Sequence, residues 1–123
     1  MEVCQGDIYW VEIAQEETRG SEQWGRRPVI VVSRTAVNKT VKTVIIVPMS
    51  TTVANQPPYR IVIPVAEITR DVLYKGQLAP QSVAKTDQVR VIDKSRLGER
   101  IGRLSQTATL SVSLGLNYVF DIR

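Results

Sequence analysis

The stretch GSEQWGRRPVIVVS, Gly20 to Ser33, sets two glycines, a carboxylate and two guanidiniums directly against a run of β-branched residues. Val29 to Val32 suit a pleated, buried surface and predict a strand from Pro28 to Val32. Pro28 is placed at its first position, where a missing N–H need not break the ladder. Taken alone, Arg26 and Arg27 read as solvated turn residues. The other reading is that charge is held at the mouth of a buried strand for use.

Working outward, Asp7 to Ile13 is β-branched and aromatic and predicts a strand that ends at the polar loop carrying Glu16, Glu17, Arg19 and Gly20. Thr43 to Met49 and Arg60 to Pro64 read as two more, separated by a Pro-containing loop from Ser50 to Pro58. A further strand is expected through Ser82 to Ile92 and another through Arg100 to Leu104, with Lys94 to Leu97 as a turn or short helix between them. Many short strands without long intervening helices argue for an antiparallel barrel or sandwich.

The end of the chain carries two patterns at once. Ala108, Leu110, Val112, Leu114, Leu116 and Tyr118 occupy every even position, a strand signature. Ser105 is also a candidate helix cap, and Ala108, Val112, Leu116 and Val119 form a stripe at helical spacing. The alternation favours a strand.

A chain of 123 residues is expected to form one domain, 1–123, with a small core. Hydrophobic residues at 43% and charged residues at 23% match soluble globular proteins. No apolar run approaches the ~20 residues that span a bilayer, and the N-terminus lacks the basic and apolar regions of a signal peptide, so a cytoplasmic location is expected. Cys4 is the one cysteine and there is no histidine. A thiol nucleophile would therefore lack an imidazole to activate it, and Cys4 reads as structural. The missing histidines also remove the usual acid–base catalyst near neutral pH and the usual zinc ligand; no metal or other cofactor is expected. Sixteen Lys and Arg against 12 Asp and Glu leave a net charge of +4, a mild basic excess compatible with a phosphate-bearing partner.

Several ordered blocks are familiar together. Gly6-Asp7-Ile8-Tyr9-Trp10-Val11, Gly20-Ser21-Glu22-Gln23, Gly25-Arg26-Arg27-Pro28 with Val29 to Ser33, Val47-Pro48-Met49-Ser50-Thr51, Asp87-Gln88-Val89-Arg90 and Ile92 to Leu97 resemble, in order, the motifs of the MazF/PemK family, the endoribonuclease toxins (mRNA interferases) of type II toxin–antitoxin pairs. The resemblance runs from Gly6 to about Leu104. It implies a mainly β fold with α (α+β), a small SH3-like antiparallel β-barrel of the plasmid-toxin (CcdB/MazF) type with a C-terminal helix. It thereby assigns Ser105 to Phe120 to a helix, against the alternation. It also implies a homodimer, single-stranded mRNA as substrate, and a separately encoded antitoxin as partner.

The resemblance places catalysis on Arg27, the arginine of the Arg-Pro pair, rather than on Arg26. A guanidinium binds phosphate oxygens bidentately and stays charged at any working pH. Cutting RNA without metal or histidine leaves the neighbouring 2′-hydroxyl as nucleophile, with the protein aligning it and stabilising charge on the phosphorane-like transition state. The family's threonine after Val-Pro-x is Ser50 here, followed by Thr51. A hydroxyl is retained, and which of the two carries the role stays open. Ser21, Glu22, Asp87 and Gln88 are implied as substrate-positioning residues, since amides and carboxylates can read base edges. Asp87 is equally readable as the ion-pair partner of Lys85 or Arg90. Lys85, where the family varies between basic and apolar residues, is read as a contact to the RNA backbone. Trp24 suits stacking on an unpaired base or packing over the barrel.

Two other readings compete. A gyrase-poisoning toxin of the CcdB type is associated with a Trp-Gly-Ile ending, whereas this chain ends Phe120-Asp121-Ile122-Arg123. A catalytically idle RNA- or peptide-binding barrel would have no need of Arg27 together with a hydroxyl at Ser50.

Overall fold

The computed structural model describes residues 2–22 and 24–122; Gln23 of the polar loop, Met1 and the closing Arg123 lie outside them. The described residues form eight strands: β1 (Asp7–Ile13), β2 (Gly25–Val31), β3 (Thr43–Ser50), β4 (Ile61–Pro64), β5 (Ile68–Arg70), β6 (Gln81–Ala84), β7 (Arg90–Asp93) and β8 (Arg100–Leu104). A short helix α1 (Thr35–Asn38) follows β2, and α2 (Gln106–Phe120) ends the fold. The order along the sheet is β4-β6-β3-β2-β1-β8-β5, with β7 also on β3, and every pairing is antiparallel. The result is a mainly β, nearly closed barrel with a C-terminal helix.

The β-branched run of the opening stretch is explained by burial on both sides. Ile8, Ile30, Val47 and Met49 pack in one cluster with Ala108 and Val112 of α2, while Tyr9, Val11, Val29, Val31, Val44 and Ile46 pack in a second on the opposite face. Alternate side chains of β1, β2 and β3 thus enter different cores, so neither face can be polar. Asp7, 1% exposed, is the exception; it accepts hydrogen bonds from Arg100 Nη2 and Arg103 Nε at 3.1 and 2.8 Å, which ties β1 to β8. A carboxylate this deep needs such partners.

Pro28 lies inside β2, not at its start. Trp10, its partner on β1, sends its N–H to Glu99 and its carbonyl to Gly98, both away from β2. Trp10 and Pro28 are therefore a non-hydrogen-bonded pair, and the Pro28 nitrogen faces the β3 edge. There the pairing of β2 with β3 has already ended at Val29 and Pro48. β3 leaves β2 at that point and pairs through Met49 and Ser50 with β6.

The strand expected through Ser82 to Ile92 is instead two, β6 and β7, both on β3. They are separated by a single 3-10 turn at Thr86–Gln88. Thr86 is fully buried and its hydroxyl donates to the Tyr59 carbonyl at 2.7 Å, which turns the chain inward where an extended strand would continue. β5 was not expected: it is three residues long with two exposed, too short for alternation to register.

The C-terminal segment is a helix, as the resemblance implied and the alternation did not. The Ser105 hydroxyl accepts from the Ala108 N–H at 3.0 Å and donates to Glu67, capping the first turn. Ala108, Val112 and Gly115 are buried, while Leu110, Leu114 and Tyr118 are exposed. The even-position pattern is thus two helical stripes, one buried and one outward.

Gly115 sets the distance between α2 and the barrel. A Cβ there would lie 2.5 Å from the Tyr59 carbonyl oxygen and 3.0 Å from Thr86 Cγ2. Gly115→Ala gains about 1 kcal/mol in helix propensity, yet it forces the helix off its seat at about 1–3 kcal/mol for overpacking. A lowered melting temperature is expected in thermal denaturation; one at or above wild type would show that α2 is free to shift.

Candidate active site

The parting of β3 from β2 opens the site. The paired register ends at Val29 and Pro48, two residues short of Arg27 on β2 and of Ser50 on β3. Both line, with Thr51, a pocket of about 260 Å³ at the mouth of the barrel. Arg27 is half-buried, and its Nε donates to the Trp24 carbonyl at 3.0 Å. That bond fixes the guanidinium plane. Its terminal nitrogens make no hydrogen bond among the described residues, and they are the pair suited to a phosphate.

Ser50 is buried, and its Oγ accepts from the Thr52 N–H at 3.2 Å. With that acceptor position filled, its O–H can donate to an incoming oxygen. Thr51 is exposed on the rim. The two hydroxyls thus differ in exposure, Ser50 buried in the pocket wall and Thr51 at its open edge.

On the other side of Pro48, Glu22, Asp87 and Gln88 line a second, more polar recess with Thr18 and Arg90. Gln88 Nε2 donates to the Ser21 carbonyl at 3.4 Å, so the first loop and the turn before β7 meet here. Glu22 is turned partly onto its own loop, accepting from the Arg19 N–H. Trp24 is 47% exposed; its carbonyl accepts from Arg27, and among the described residues its ring joins neither core cluster.

The principal partner of Asp87 is Arg60, which was not weighed from the sequence; Lys85 adds a lesser charge contact. Arg60 grips it bidentately, Nε to Oδ1 at 2.7 Å and Nη2 to Oδ2 at 2.8 Å, while Arg90 pairs with Glu17. The Arg60 hydrogen bonds hold the Asp87 carboxyl below the ordinary carboxylate range, and Arg60 is raised in turn. Burial lowers the Lys85 ammonium from its usual value, and the positive charges of Arg60 and Arg27 lower it further. Lys85 therefore shares one electrostatic neighbourhood with Arg27 and Arg60, in which Asp87 is the compensating charge.

Arg60 gave no signal in the sequence, because its partner is 27 positions away. Arg26 looked like a spare turn residue, and its guanidinium lies 4.1 Å over the Trp10 ring in a cation–π contact lining the pocket. Cys4 takes no part: its thiol is pushed up, chiefly by burial, away from nucleophilic character. Among the described residues no three His, Cys, Asp or Glu gather in a way that could hold a metal ion, and no helix is long and apolar enough to cross a membrane.

The Arg60–Asp87 grip ties the loop after β3 to the turn before β7, and it has a pH signature. A depressed carboxyl contributes stability that is fully present above its unfolded value, about 3.9, and is lost as pH falls through the folded one. Asp87→Asn should lower the melting temperature at pH 7, and the gap to wild type should close as the pH drops below about 4. A gap that stays constant into acid would mean that the carboxylate charge is not what holds the loop.

Comparison with known proteins agrees with this geometry. Residues 4–120 match the model of the PemK-like, MazF-like toxins of type II toxin–antitoxin systems. The chain is 32% identical over 123 residues to the endoribonuclease MazF of Staphylococcus epidermidis, an alignment covering 94% of this chain and 93% of that one. Its fold is similar to the crystal structure of MazF from Deinococcus radiodurans, with a TM-score of 0.74 at 23% identity, covering 99% of each chain. It is also similar to an endoribonuclease in complex with its cognate antitoxin from Mycobacterial species, with a TM-score of 0.73 at 16% identity over 98% of this chain and 97% of that one. The chain belongs to the PemK-like, MazF-like family of toxins.

Proposed function

We propose that this protein is a sequence-specific endoribonuclease toxin that cuts single-stranded mRNA in the cytoplasm, acts as one domain over 1–123, and is neutralised by a cognate antitoxin. The observation that carries the reading is that Arg27 and Ser50 line one pocket at the opening where the pairing of β2 with β3 ends. The family and the endoribonuclease relative support it.

In the proposed mechanism the substrate supplies its own nucleophile. The ribose 2′-hydroxyl attacks the adjacent phosphorus, the bond to the 5′-oxygen breaks, and that oxygen leaves with a proton as a 5′-hydroxyl. The other fragment keeps a 2′,3′-cyclic phosphate. Arg27 donates through its terminal nitrogens to the non-bridging oxygens, whose charge rises in the transition state, and Ser50 adds a hydroxyl donor from the facing strand. Lys85 contacts the backbone. Ser21, Glu22, Asp87 and Gln88 position the nucleotides on the polar side, and Trp24 offers its exposed ring for stacking. Metal independence follows from the donor set: histidine is absent, and Glu17 and Asp87 are already paired to arginines. The exposed arginines and the +4 balance suit an antitoxin with an acidic, apolar tail that folds across the same groove.

Arg27→Ala should lower kcat/KM by about a hundredfold or more, the scale of one lost transition-state donor. Cleavage should persist in chelator, stop when the antitoxin is added, and fail on an oligonucleotide with a single deoxyribose before the scissile phosphate. Normal cutting of that oligonucleotide, or activity lost in chelator and restored by magnesium, would overturn the mechanism.

A homodimer with the RNA groove along its interface completes the reading. Leu110, Leu114 and Tyr118 form an outward apolar stripe on α2, and Tyr118 stacks on Tyr59 at 5.5 Å, next to the Arg60–Asp87 pair. A second copy covering this stripe would border the site. Sedimentation should report a dimer for wild type and a folded monomer for Leu114→Lys; an unchanged dimer in that variant would place the interface elsewhere.

A further inference from the structure

The pocket shared by Arg27 and Ser50 runs on beneath an irregular strap over residues 71–80, which contributes Tyr74, Gln77, Leu78 and Ala79 to its wall. The strap is fastened along its length. The Asp71 N–H donates to the Ile101 carbonyl at 2.9 Å, Val65 donates to Pro80 at 2.9 Å, and Arg100 binds Asp71 at 2.7 Å. Arg70, an exposed residue of β5, donates to the Tyr74 and Gly76 carbonyls while its guanidinium lies over the Tyr74 ring. Tyr74 is buried, and a Cβ at Gly76 would overlap its hydroxyl, so the strap closes down directly on the ring. The wall is thus set before anything binds.

Its interior does not suit a phosphate or a ribose. Ile8, Met49, Ile68 and Ile101 line the depth, and they would desolvate a charged or hydroxylated group without pairing it. The mouth is different: Arg26 lies on the Trp10 ring at 4.1 Å, leaving the outer face of its guanidinium available, and Gln77 is exposed at the strap edge. A flat heterocycle with polar edges fits both parts. At about 260 Å³ the space is just below the range of ~300–1,000 Å³ typical of drug-sized ligands, which suits a single ring system rather than a dinucleotide.

We propose that this pocket receives one unpaired nucleobase adjacent to the scissile phosphate, stacked on Arg26 above Trp10 and read along its edge by the Gln77 amide. The proposal rests on the ribonuclease reading for the identity of the substrate. Gln77 and Arg26 are then specificity residues, distinct from the charge stabilisation at Arg27. Arginine planes and aromatic rings stack unpaired bases, and an amide offers both a donor and an acceptor to a base edge.

The test uses purified wild type, Gln77→Ala, Gln77→Glu and Arg26→Ala, all changed at exposed positions. Each is incubated with a randomised pool of single-stranded 2′-fluoro RNA, which lacks the attacking hydroxyl, and the retained sequences are read. In parallel, natural RNA is cut and the 5′ ends are sequenced. Wild type should retain a fixed base at one position, in register with the cut. Gln77→Ala should lose that preference by about tenfold, the scale of one base contact. Gln77→Glu, which accepts but cannot donate, should favour a different base, an outcome that loosened packing would not give. Arg26→Ala should raise KM with kcat little changed. The same preference in wild type and both Gln77 variants, or no preference in wild type, would overturn the proposal. If natural RNA were left uncut while the base preference shifted as described, the ribonuclease reading would fail and the base pocket would stand.

Discussion

The site depends on where β3 parts from β2. Of its residues, Thr43 to Ile46 pair with β7, Ile46 to Pro48 with β2, and Met49 and Ser50 with β6. Two prolines mark the change. Pro28 has no N–H to offer on the side where β3 would continue, and Pro48 stands at the last paired position. An unbroken ladder there would set Arg27 and Ser50 side by side on one face of the sheet. Because the pairing stops short of them, both line an open pocket, while their backbones remain held by β1 and β6.

Charge in that space is balanced by position more than by number. Arg60 and Arg27 both lie close enough to Lys85 to lower its ammonium, and Asp87 is clamped to Arg60. The carboxylate is therefore committed to Arg60. The other acid–base pairs are Asp7 with Arg100 and Arg103 on the β1–β8 side, and Glu17 with Arg90 and Arg96 on the first loop, where Glu17 and Arg90 line the same polar recess as Asp87. Asp7 and Arg103 are themselves ladder partners, whereas the Glu17 pairs join segments that no ladder connects. Partly exposed pairs of this kind contribute on the order of 0–1 kcal/mol each, so their effect is on where loops lie more than on global stability.

How much of this was legible in the sequence depends on the range of the interaction. The central strands declared themselves because residues buried on both faces must be apolar throughout, as Val29 to Val31 and Ile46 with Val47 are. Arg27 and Ser50 were legible as candidates through their motifs, although only the fold shows that they line one pocket. Asp87 was legible as a candidate too, and its Arg60 partner was not, because a contact between residues 27 apart leaves no local pattern. The 3-10 turn at Thr86 was hidden for the same reason: the Tyr59 carbonyl that draws it inward comes from another loop. In α2, Ser and Thr at odd positions mimicked a strand. The cap at Ser105 and the small Gly115 against the barrel decide for a helix, and both act through tertiary contacts that override local preference.

A histidine-free site constrains chemistry as well as recognition. On the ribonuclease reading, no side chain near Arg27 has an ordinary pKa close to neutrality, so rate must come from fixing charge and alignment instead of from a poised base. Such a site is only as good as the placement of the substrate. The two recesses on either side of Pro48 are built for placement, and they differ in kind: one is apolar, walled by the strap and the Trp10–Arg26 stack, the other is polar, lined by Glu22, Asp87 and Gln88. A single strand crossing between them would be gripped by stacking on one side and by hydrogen bonds on the other, with the phosphate held at Arg27 and Ser50 in the middle. Alignment and sequence preference are then one property of the same surface, which is why the segments forming its walls, the loop before β2 and the strap, are the places where a chain of this fold can change what it cuts without changing how it cuts.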